Sequence, residues 1–200
     1  NIVTRAPGGG ERSGSASAGI ASYQTSECRG TGNFAGERIG LSLAANALDT
    51  ENYRRNNAVS QQNLLGDLRL LGDGPTIGLK FGLDRQDARF PGGLSEAAIQ
   101  LDPRATTRPN DYGRIDGAFA TLSAGAKIGT LDLLTDLAWR DSVTQGFFDG
   151  FGTFSFNESK LHSLAFSPRL RWLMRAGGIE HSVIAGLDLN EQHWDRRTAL

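Results

Sequence analysis

Apolar and polar side chains alternate along most of this chain with a period of two residues, which is typical of strands with one apolar face. In residues 76–84 one set of alternate positions is apolar and the other is small or charged: Ile77, Leu79, Phe81 and Leu83 against Gly78, Lys80, Gly82 and Asp84. The pattern predicts an all-β chain of about nine strands, at residues 12–22, 27–35, 38–48, 59–71, 76–86, 114–127, 131–141, 159–173 and 179–190. Helical periodicity is almost absent, and we expect at most a short helical turn near residues 95–100.

The connections between these strands alternate between short and long. The short ones contain glycines, which can adopt the positive φ of tight hairpin turns, and lie at 36–37, 72–75, 129–130 and 175–178. The long ones lie at about 23–26, 49–58, 87–113 and 142–158. One rim of the sheet therefore carries tight turns and the other carries large loops, which is the layout of outer-membrane β-barrels. Strands of about 9–11 residues are long enough for a tilted crossing of a bilayer.

We interpret the chain as an antiparallel up-and-down meander, forming part of a transmembrane β-barrel that is open in this segment. A soluble β-sandwich also alternates, but nine successive hairpins without a crossover are unusual there, because Greek keys dominate. The face predicted to line the barrel is rich in charges, namely Asp67, Arg69, Lys80, Asp84, Asp132, Asp136, Arg140, Arg169 and Arg171. In strand 114–127 the outward set is left open between Ala118, Ala120, Leu122, Ala124 and Ala126 on one side and Ile115 and Phe119 on the other.

Composition narrows the classes of function. The 200 residues include 21 Lys+Arg and 22 Asp+Glu, and the formal net charge of −1 excludes a strongly basic nucleic-acid module. The single cysteine, Cys28, excludes a disulfide framework and a CxxC metal site. The chain opens in mid-strand without an initiator methionine or a signal peptide, and we expect it to be a piece of a longer protein.

Catalytic and metal-binding patterns are poor. His162, His181 and His193 lack the spacing of metal ligands. Asp132 and Asp136 lie ~13 Å apart along a strand, farther than the ~9.5 Å that separates the carboxyl groups of inverting glycosidases. We therefore expect no enzyme activity, no cofactor and no metal site. The charged face is expected to form a ladder of salt bridges, such as Asp67 with Lys80 and Arg171 with Glu180.

Three segments resemble TonB-dependent outer-membrane receptors. Asn1-Ile2-Val3-Thr4-Arg5 resembles the strand that closes their plug domain, and the Gly-rich residues 13–22 resemble their first barrel strand. Asn52-Tyr53-Arg54-Arg55-Asn56-Asn57 is similar to the family's Asp-Gly-Tyr-Arg-x-Asn stretch, with Glu51-Asn52 in place of Asp-Gly. The resemblance implies that residues 1–11 end the plug domain and link it to the barrel, and that residues 12–200 form the N-terminal part of the barrel. Family barrels have ~22 strands, so nine do not close one.

The resemblance also implies a function. It predicts a receptor in the outer membrane of a Gram-negative bacterium that imports a scarce nutrient, such as siderophore-bound iron, with energy from a TonB-type coupling protein that acts through the plug. Its other partners would be the imported ligand, outer-membrane lipid and lipopolysaccharide, and no nucleic acid. A passive porin-type channel and a soluble carbohydrate-binding β-sandwich remain the alternatives.

Two of the long loops hold candidate ligand-binding residues. Loop 87–113 carries Arg89, Arg104, Arg108 and Tyr112, and arginine forks suit the oxygen atoms of an anionic chelate. These arginines could equally pair with nearby aspartates or with lipopolysaccharide. Loop 142–158 is rich in phenylalanine, including Phe147, Phe148 and Phe151. It is either a flexible aromatic flap over a ligand or an extension of the strands.

The predicted facing of strand 76–86 is testable by substitution in the full-length protein. A Lys or Arg on the lipid face near the bilayer midplane costs ~2–4 kcal/mol, whereas charges in the lumen can be hydrated and paired. We therefore expect Leu79→Arg to impair membrane assembly far more than Lys80→Leu, measured as the folded fraction in outer-membrane preparations. A cysteine at position 79 that a water-soluble thiol reagent labels readily, with position 80 reached only by lipid-phase reagents, would show that the facing is inverted.

Overall fold

Ten strands and one short helix make up the computed structural model, which describes residues 12–72, 74–150 and 153–200. The strands are β1 (Arg12–Ala21), β2 (Thr25–Ala35), β3 (Ile39–Thr50), β4 (Val59–Leu70), β5 (Thr76–Arg89), β6 (Tyr112–Ile128), β7 (Leu131–Gly150), β8 (Thr153–Ala176), β9 (Ile179–Gly186) and β10 (Leu189–Ala199), and the helix is α1 (Glu96–Leu101). All strands belong to one antiparallel sheet in which sequence neighbours pair from β1 to β8, and both β9 and β10 pair with β8. The sheet is an open meander. The all-β, up-and-down fold predicted from the sequence is confirmed.

The last two strands are one strand with an interruption. Gly186 of β9 lies opposite Arg169, and Leu189 of β10 lies opposite Phe166, so the pairing register with β8 continues unchanged across the gap. The break falls opposite Pro168, which has no N–H to donate to the ladder. The N–H of Leu187 still donates to the carbonyl of Pro168 at 3.1 Å. The predicted number of nine strands is therefore correct, with the ninth extending beyond its predicted end at residue 190.

The helix α1 lies in the connection between β5 and β6, where a short helical turn was expected. Its N-cap is Ser95, whose hydroxyl accepts a hydrogen bond from the N–H of Ala98 at 3.3 Å. A serine oxygen at this position satisfies one of the free N–H groups at a helix start. No helix in the described part of the chain is long and apolar enough to cross a membrane.

The sequence predicted a long connection at residues 142–158, and this prediction is wrong. β7 and β8 continue through this segment to Gly150 and from Thr153, with Phe147 opposite Phe156 and Gly146 opposite Asn157. The alternation of large and small residues there lets the two strands pair, so Phe147, Phe148, Phe154 and Phe156 belong to a strand extension and not to a flap. The connection predicted at 87–113 is shorter than expected, because β5 runs to Arg89 and β6 starts at Tyr112.

The pairing register sorts the side chains into two faces. Leu83 lies opposite Leu64 and Ala118, and Leu79 lies opposite Leu68 and Leu122. These residues define the apolar face, and the face that carries Lys80 and Asp84 is the polar face. The question left open for strand 114–127 is thereby answered, because Ala118, Ala120, Leu122, Ala124 and Ala126 share the apolar face and Ile115 and Phe119 share the polar face.

No second layer packs on the apolar face among the described residues. Leu83 is 54% exposed and Trp139 is 42% exposed, and Ala35 is the one buried hydrophobic residue in the described ranges. The apolar side chains form a band across β4–β10 that ends toward the long-loop rim, where the same face turns charged. We call this band the apolar belt. It includes Leu79, Phe81, Leu83, Leu137, Trp139, Leu164 and Phe166.

On the apolar face, between the apolar belt and the long-loop rim, ion pairs are more numerous than the sequence predicted. Arg85 pairs with Asp116 at 2.9 Å, and Arg114 pairs with Asp87 at 2.7 Å. On the polar face, Asp67 is 2% exposed and accepts two hydrogen bonds from the guanidinium group of Arg69, each at 2.7 Å. Lys80 lies opposite Asp67 in the register, as expected. The predicted Arg171–Glu180 pair is wrong, because the tight turn places Glu180 opposite Arg175.

Gly66 offers a test of how closely the sheet is packed. The ring of Phe81 lies across it, and a Cβ on Gly66 would stand 2.2 Å from the ring. Gly66→Ala must displace this ring, and because no second layer covers this face we expect a cost below the ~1–3 kcal/mol of overpacking in a closed core. We expect the temperature at which the full-length barrel loses its compact electrophoretic mobility to fall. Gly32→Ala, whose Cβ would meet nothing within 4 Å, should leave it unchanged, and equal effects of the two changes would contradict this packing.

Candidate functional site

The candidate site lies at the long-loop rim, where two connections meet. Residues 51–58 join β3 to β4, and residues 90–111 join β5 to β6; we call them the rim loops. The backbone N–H of Arg55 donates to the carbonyl of Arg104 at 2.9 Å, and the side chain of Arg104 donates to the carbonyl of Tyr53 at 2.9 Å. The two rim loops are therefore bonded to each other along their lengths.

The guanidinium group of Arg54 donates hydrogen bonds to backbone carbonyls of the longer rim loop. Its Nη1 donates to the carbonyl of Gly92 at 2.7 Å, and its Nη2 and Nε donate to the carbonyl of Ala105 at 2.9 and 3.1 Å. Its Nη2 also lies 3.3 Å from the carbonyl of Pro91. A guanidinium offers five N–H donors in a fixed plane, so one side chain satisfies backbone carbonyls on both arms of the loop.

Asn56 is the second residue that donates hydrogen bonds to backbone carbonyls of the longer rim loop. Its backbone has φ 51°, a left-handed conformation that asparagine tolerates better than most residues. Its side-chain Nδ2 donates to the carbonyls of Phe90 at 3.1 Å and Asp111 at 3.0 Å, and also to that of Arg108. Both ends of the longer rim loop thus converge on one amide group.

Asp111 connects the rim loops to β7. It is 6% exposed, and its Oδ1 accepts a hydrogen bond from the N–H of Asp149 at 2.6 Å. Its backbone carbonyl accepts from the N–H of Phe90 at 3.1 Å as well as from Asn56. A buried carboxylate needs such donors to offset the loss of its hydration. The guanidinium of Arg108 adds a second link, to the carbonyl of Asp149.

A pocket of about 400 Å³ opens beneath these loops on the polar face; we call it the rim pocket. Phe90 and Phe148 are stacked within it, with ring centroids 5.9 Å apart and planes at 8°. Its lining also includes Ile115, Trp194 and Arg196, together with polar residues such as Thr144, Asn157, Glu158 and Ser159. Gly113 and Gly146, directly opposite each other on β6 and β7, leave space for the rings, since a Cβ on Gly146 would stand 2.9 Å from Phe148.

A second aromatic cluster lies on the apolar face of the same rim. Phe147 stacks between Tyr112 and Phe154, with centroid separations of 6.1 and 6.3 Å. The Arg89 guanidinium lies 5.2 Å above the ring of Tyr112 and pairs with Asp87 at 3.4 Å. Strand alternation explains the split, because Phe147 and Phe148 are consecutive and must point to opposite faces.

The candidate residues predicted from the sequence therefore do not form one site. Phe148 lines the rim pocket, whereas Arg89, Tyr112 and Phe147 lie on the opposite face. Arg104 and Arg108 bond backbone carbonyls of neighbouring segments, and Phe151 lies outside the described residues. The sequence reasoning missed Trp194 and Arg196, because it ended the last strand at residue 190. Alternation continued past that point would have placed both on the polar face.

No group of three or more His, Cys, Asp or Glu side chains in the described ranges is arranged to hold a metal ion. No protein-family model matches the sequence, and no curated protein matches it.

Solved structures do match the fold. The ferric citrate transporter FecA superposes with a TM-score of 0.71 at 16% identity, over 93% of this chain and 29% of that one. The ferric-catecholate import receptor Fiu of E. coli K12 gives 0.74 at 14% identity, over 96% and 35%. P. aeruginosa FpvA, bound to an iron–pyoverdine complex, gives 0.71 at 12% identity, over 96% and 29%.

All three are TonB-dependent receptors. This chain has the fold of a segment of a TonB-dependent receptor barrel. The fold implied by the sequence resemblance is therefore confirmed, and the chain spans about a third of the length of these relatives. The three structures are of transporters and receptors and not of enzymes.

The Arg55–Asp102 pair ties the rim loops together in a pH-dependent way. The backbone N–H of Arg104 and the guanidinium of Arg55 both donate to Asp102 and hold its carboxyl pKa below the ordinary aspartate value. A lowered pKa in the folded state contributes stability above the ordinary pKa, and that stability is lost as the pH falls through the lowered value. We expect a small rise in hydrogen exchange of residues 99–105 on acidification, relative to Asp102→Asn at each pH. An equal pH response in that variant would contradict this assignment.

Proposed function

We propose that this chain is the N-terminal part of the barrel of a TonB-dependent outer-membrane receptor, with residues 12–200 in the barrel and residues 1–11 at the end of the plug domain. The fold similarity to three such receptors supports this proposal. The resemblances at residues 1–5, 13–22 and 52–57 support it independently, because they were identified from sequence alone. The energy for transport would come from a TonB-type protein acting through the plug.

The proposed orientation follows from the two faces. The apolar belt faces outer-membrane lipid, because its exposed leucines and aromatics gain stability only in an apolar surrounding. The charged part of the same face then meets lipopolysaccharide, and the polar face lines the lumen. The rim loops lie outside the cell, as the longer loops of such barrels do.

The rim pocket is the proposed ligand site, and its position carries the proposal. It lies on the lumen side of the outer rim and combines a stacked aromatic pair with Arg196. Along the wall inward from the pocket, the polar face of β5–β8 carries more basic than acidic residues, most of them toward the tight-turn rim, with Lys80, Lys127, Arg140, Arg169, Arg171 and Arg175 against Asp84, Asp132 and Asp136. Such a wall attracts anions. We propose an anionic iron chelate as the ligand, in line with the ferric complexes named for the three receptors.

Substitutions in the rim pocket test this site in the full-length receptor. We expect Phe148→Ala and Arg196→Ala each to weaken binding of ferric citrate or a ferric catecholate by about tenfold or more, since each removes a stacking surface or a charge-assisted hydrogen bond. Phe154→Ala is the matched control, because it removes a stacked phenylalanine from the opposite face of the same rim. Equilibrium binding to the purified receptor in detergent provides the measurement.

Other outcomes would support the alternatives. Equal loss of affinity in Phe154→Ala and Phe148→Ala would contradict the assignment of the site. A steady open conductance of the full-length protein in planar bilayers would favour a porin-type channel. A chain that stays soluble without detergent, with Leu79 and Phe81 covered by a second sheet, would favour the carbohydrate-binding sandwich.

A further inference from the structure

We infer that Asn56 and Asp111 are positioning residues of the rim pocket, which hold the two backbone segments that carry Phe90 and Phe148 in register before any ligand arrives. Neither residue lines the pocket. This inference rests on the proposed function where it concerns ligand affinity, but the positioning itself is a property of the protein alone.

The first step is the link from Asn56 to Phe90. The Nδ2 of Asn56 donates to the carbonyl of Phe90 at 3.1 Å and to the carbonyl of Asp111 at 3.0 Å. The carbonyl of Arg108 is a third acceptor of the same group, and because an amide NH₂ group has two donor hydrogens, the three carbonyls share them. Phe90 and Asp111 are the first and last residues of the longer rim loop, and the loop is thereby closed at its base.

The second step is the link from Asp111 to the segment that carries Phe148. Its Oδ1 accepts from the N–H of Asp149 at 2.6 Å, one residue after Phe148. Its carbonyl accepts from the N–H of Phe90 at 3.1 Å. One residue therefore bonds the backbone at both partners of the stack, whose rings are 5.9 Å apart.

The third step is the burial of Asp111. It is 6% exposed, whereas the hydrogen bond from Asn56 to the carbonyl of Phe90 is exposed to solvent and comes from a residue fixed at φ 51°. The hydrogen bond that Asp111 accepts from the N–H of Asp149 is therefore the costly one to break, because a buried carboxylate that is released loses its partner without full hydration. The stack is thus preformed, and a ligand that binds against it does not have to order the loop, which is the physical basis of preorganisation.

Two substitutions at Asn56 separate the amide from the backbone conformation. Asn56→Asp keeps the shape and tolerates the left-handed φ, but it cannot donate and places a negative charge against three carbonyls. Asn56→Gly adopts the same φ without strain and also lacks the amide. Asn57→Gly is the control, because it changes the neighbouring residue of the same type in the same loop. All variants are made in the full-length receptor.

The first measurement is hydrogen exchange without ligand. We expect the N–H groups of Phe90 and Asp149 to exchange about tenfold faster or more in Asn56→Asp and Asn56→Gly, with residues 79–84 of β5 unchanged and Asn57→Gly like the unmodified protein. Unchanged exchange at Phe90 and Asp149 in both Asn56 variants would overturn the inference. If Asn56→Asp fails to assemble, Asn56→Gly alone decides the result.

The second measurement is the affinity for ferric citrate and a ferric catecholate. We expect Asn56→Gly to weaken binding about tenfold, and the loss in the double variant with Phe148→Ala to be smaller than the product of the two single losses, since both act on one stack. Faster exchange with unchanged affinity would overturn the contribution of this positioning to ligand binding and leave the proposed function intact. If the unmodified receptor binds no chelate, the proposed ligand is wrong, and the exchange data still decide whether Asn56 holds the two segments together.

Discussion

Hydrogen bonding between neighbouring strands is the interaction on which the rest of this structure depends, because the described residues form no hydrophobic core. The register of β3–β8 runs without a bulge, and a period of two then fixes which face each side chain occupies. A slip of one residue would exchange the belt that carries Leu79 and Phe81 with the face that carries Lys80. The alternation in the sequence therefore specifies both the sheet and the chemistry of its two faces.

The same alternation explains which parts of the fold are readable from sequence. Nine strands, their order and the two faces follow from the alternating positions, and the short helix near Ser95 follows from local capping chemistry. The sequence could not show which residues of strand 114–127 lie on the apolar face, because its alanines are small and Phe119 is large. Only pairing of Ala118 with Leu83 assigns it, and that is information from the neighbouring strand.

The predictions that failed have separate causes. Residues 142–158 were predicted to be a long connection, with a flap and a strand extension both left open, and the structure has the extension because Phe147 and Phe156 pair across two strands. The predicted Arg171–Glu180 pair is wrong because the tight turn sets a different register. Opposite residues in a register are neighbours, but a flexible arginine can reach a residue two positions away on its own strand, as Arg69 does with Asp67.

The contacts in the candidate site join segments that are far apart in the sequence, and an alternating pattern along the chain does not show which segments meet. The arginines of the longer rim loop suggested ligand contacts by composition, and the structure shows Arg104 and Arg108 donating to backbone carbonyls, which the sequence did not predict. A connection of this length has many carbonyls that no strand can pair, and guanidinium and amide donors are the side chains best suited to satisfy them. Arg54 and Asn56 serve that purpose from the opposite loop. These polar residues of the rim therefore hold the two loops together.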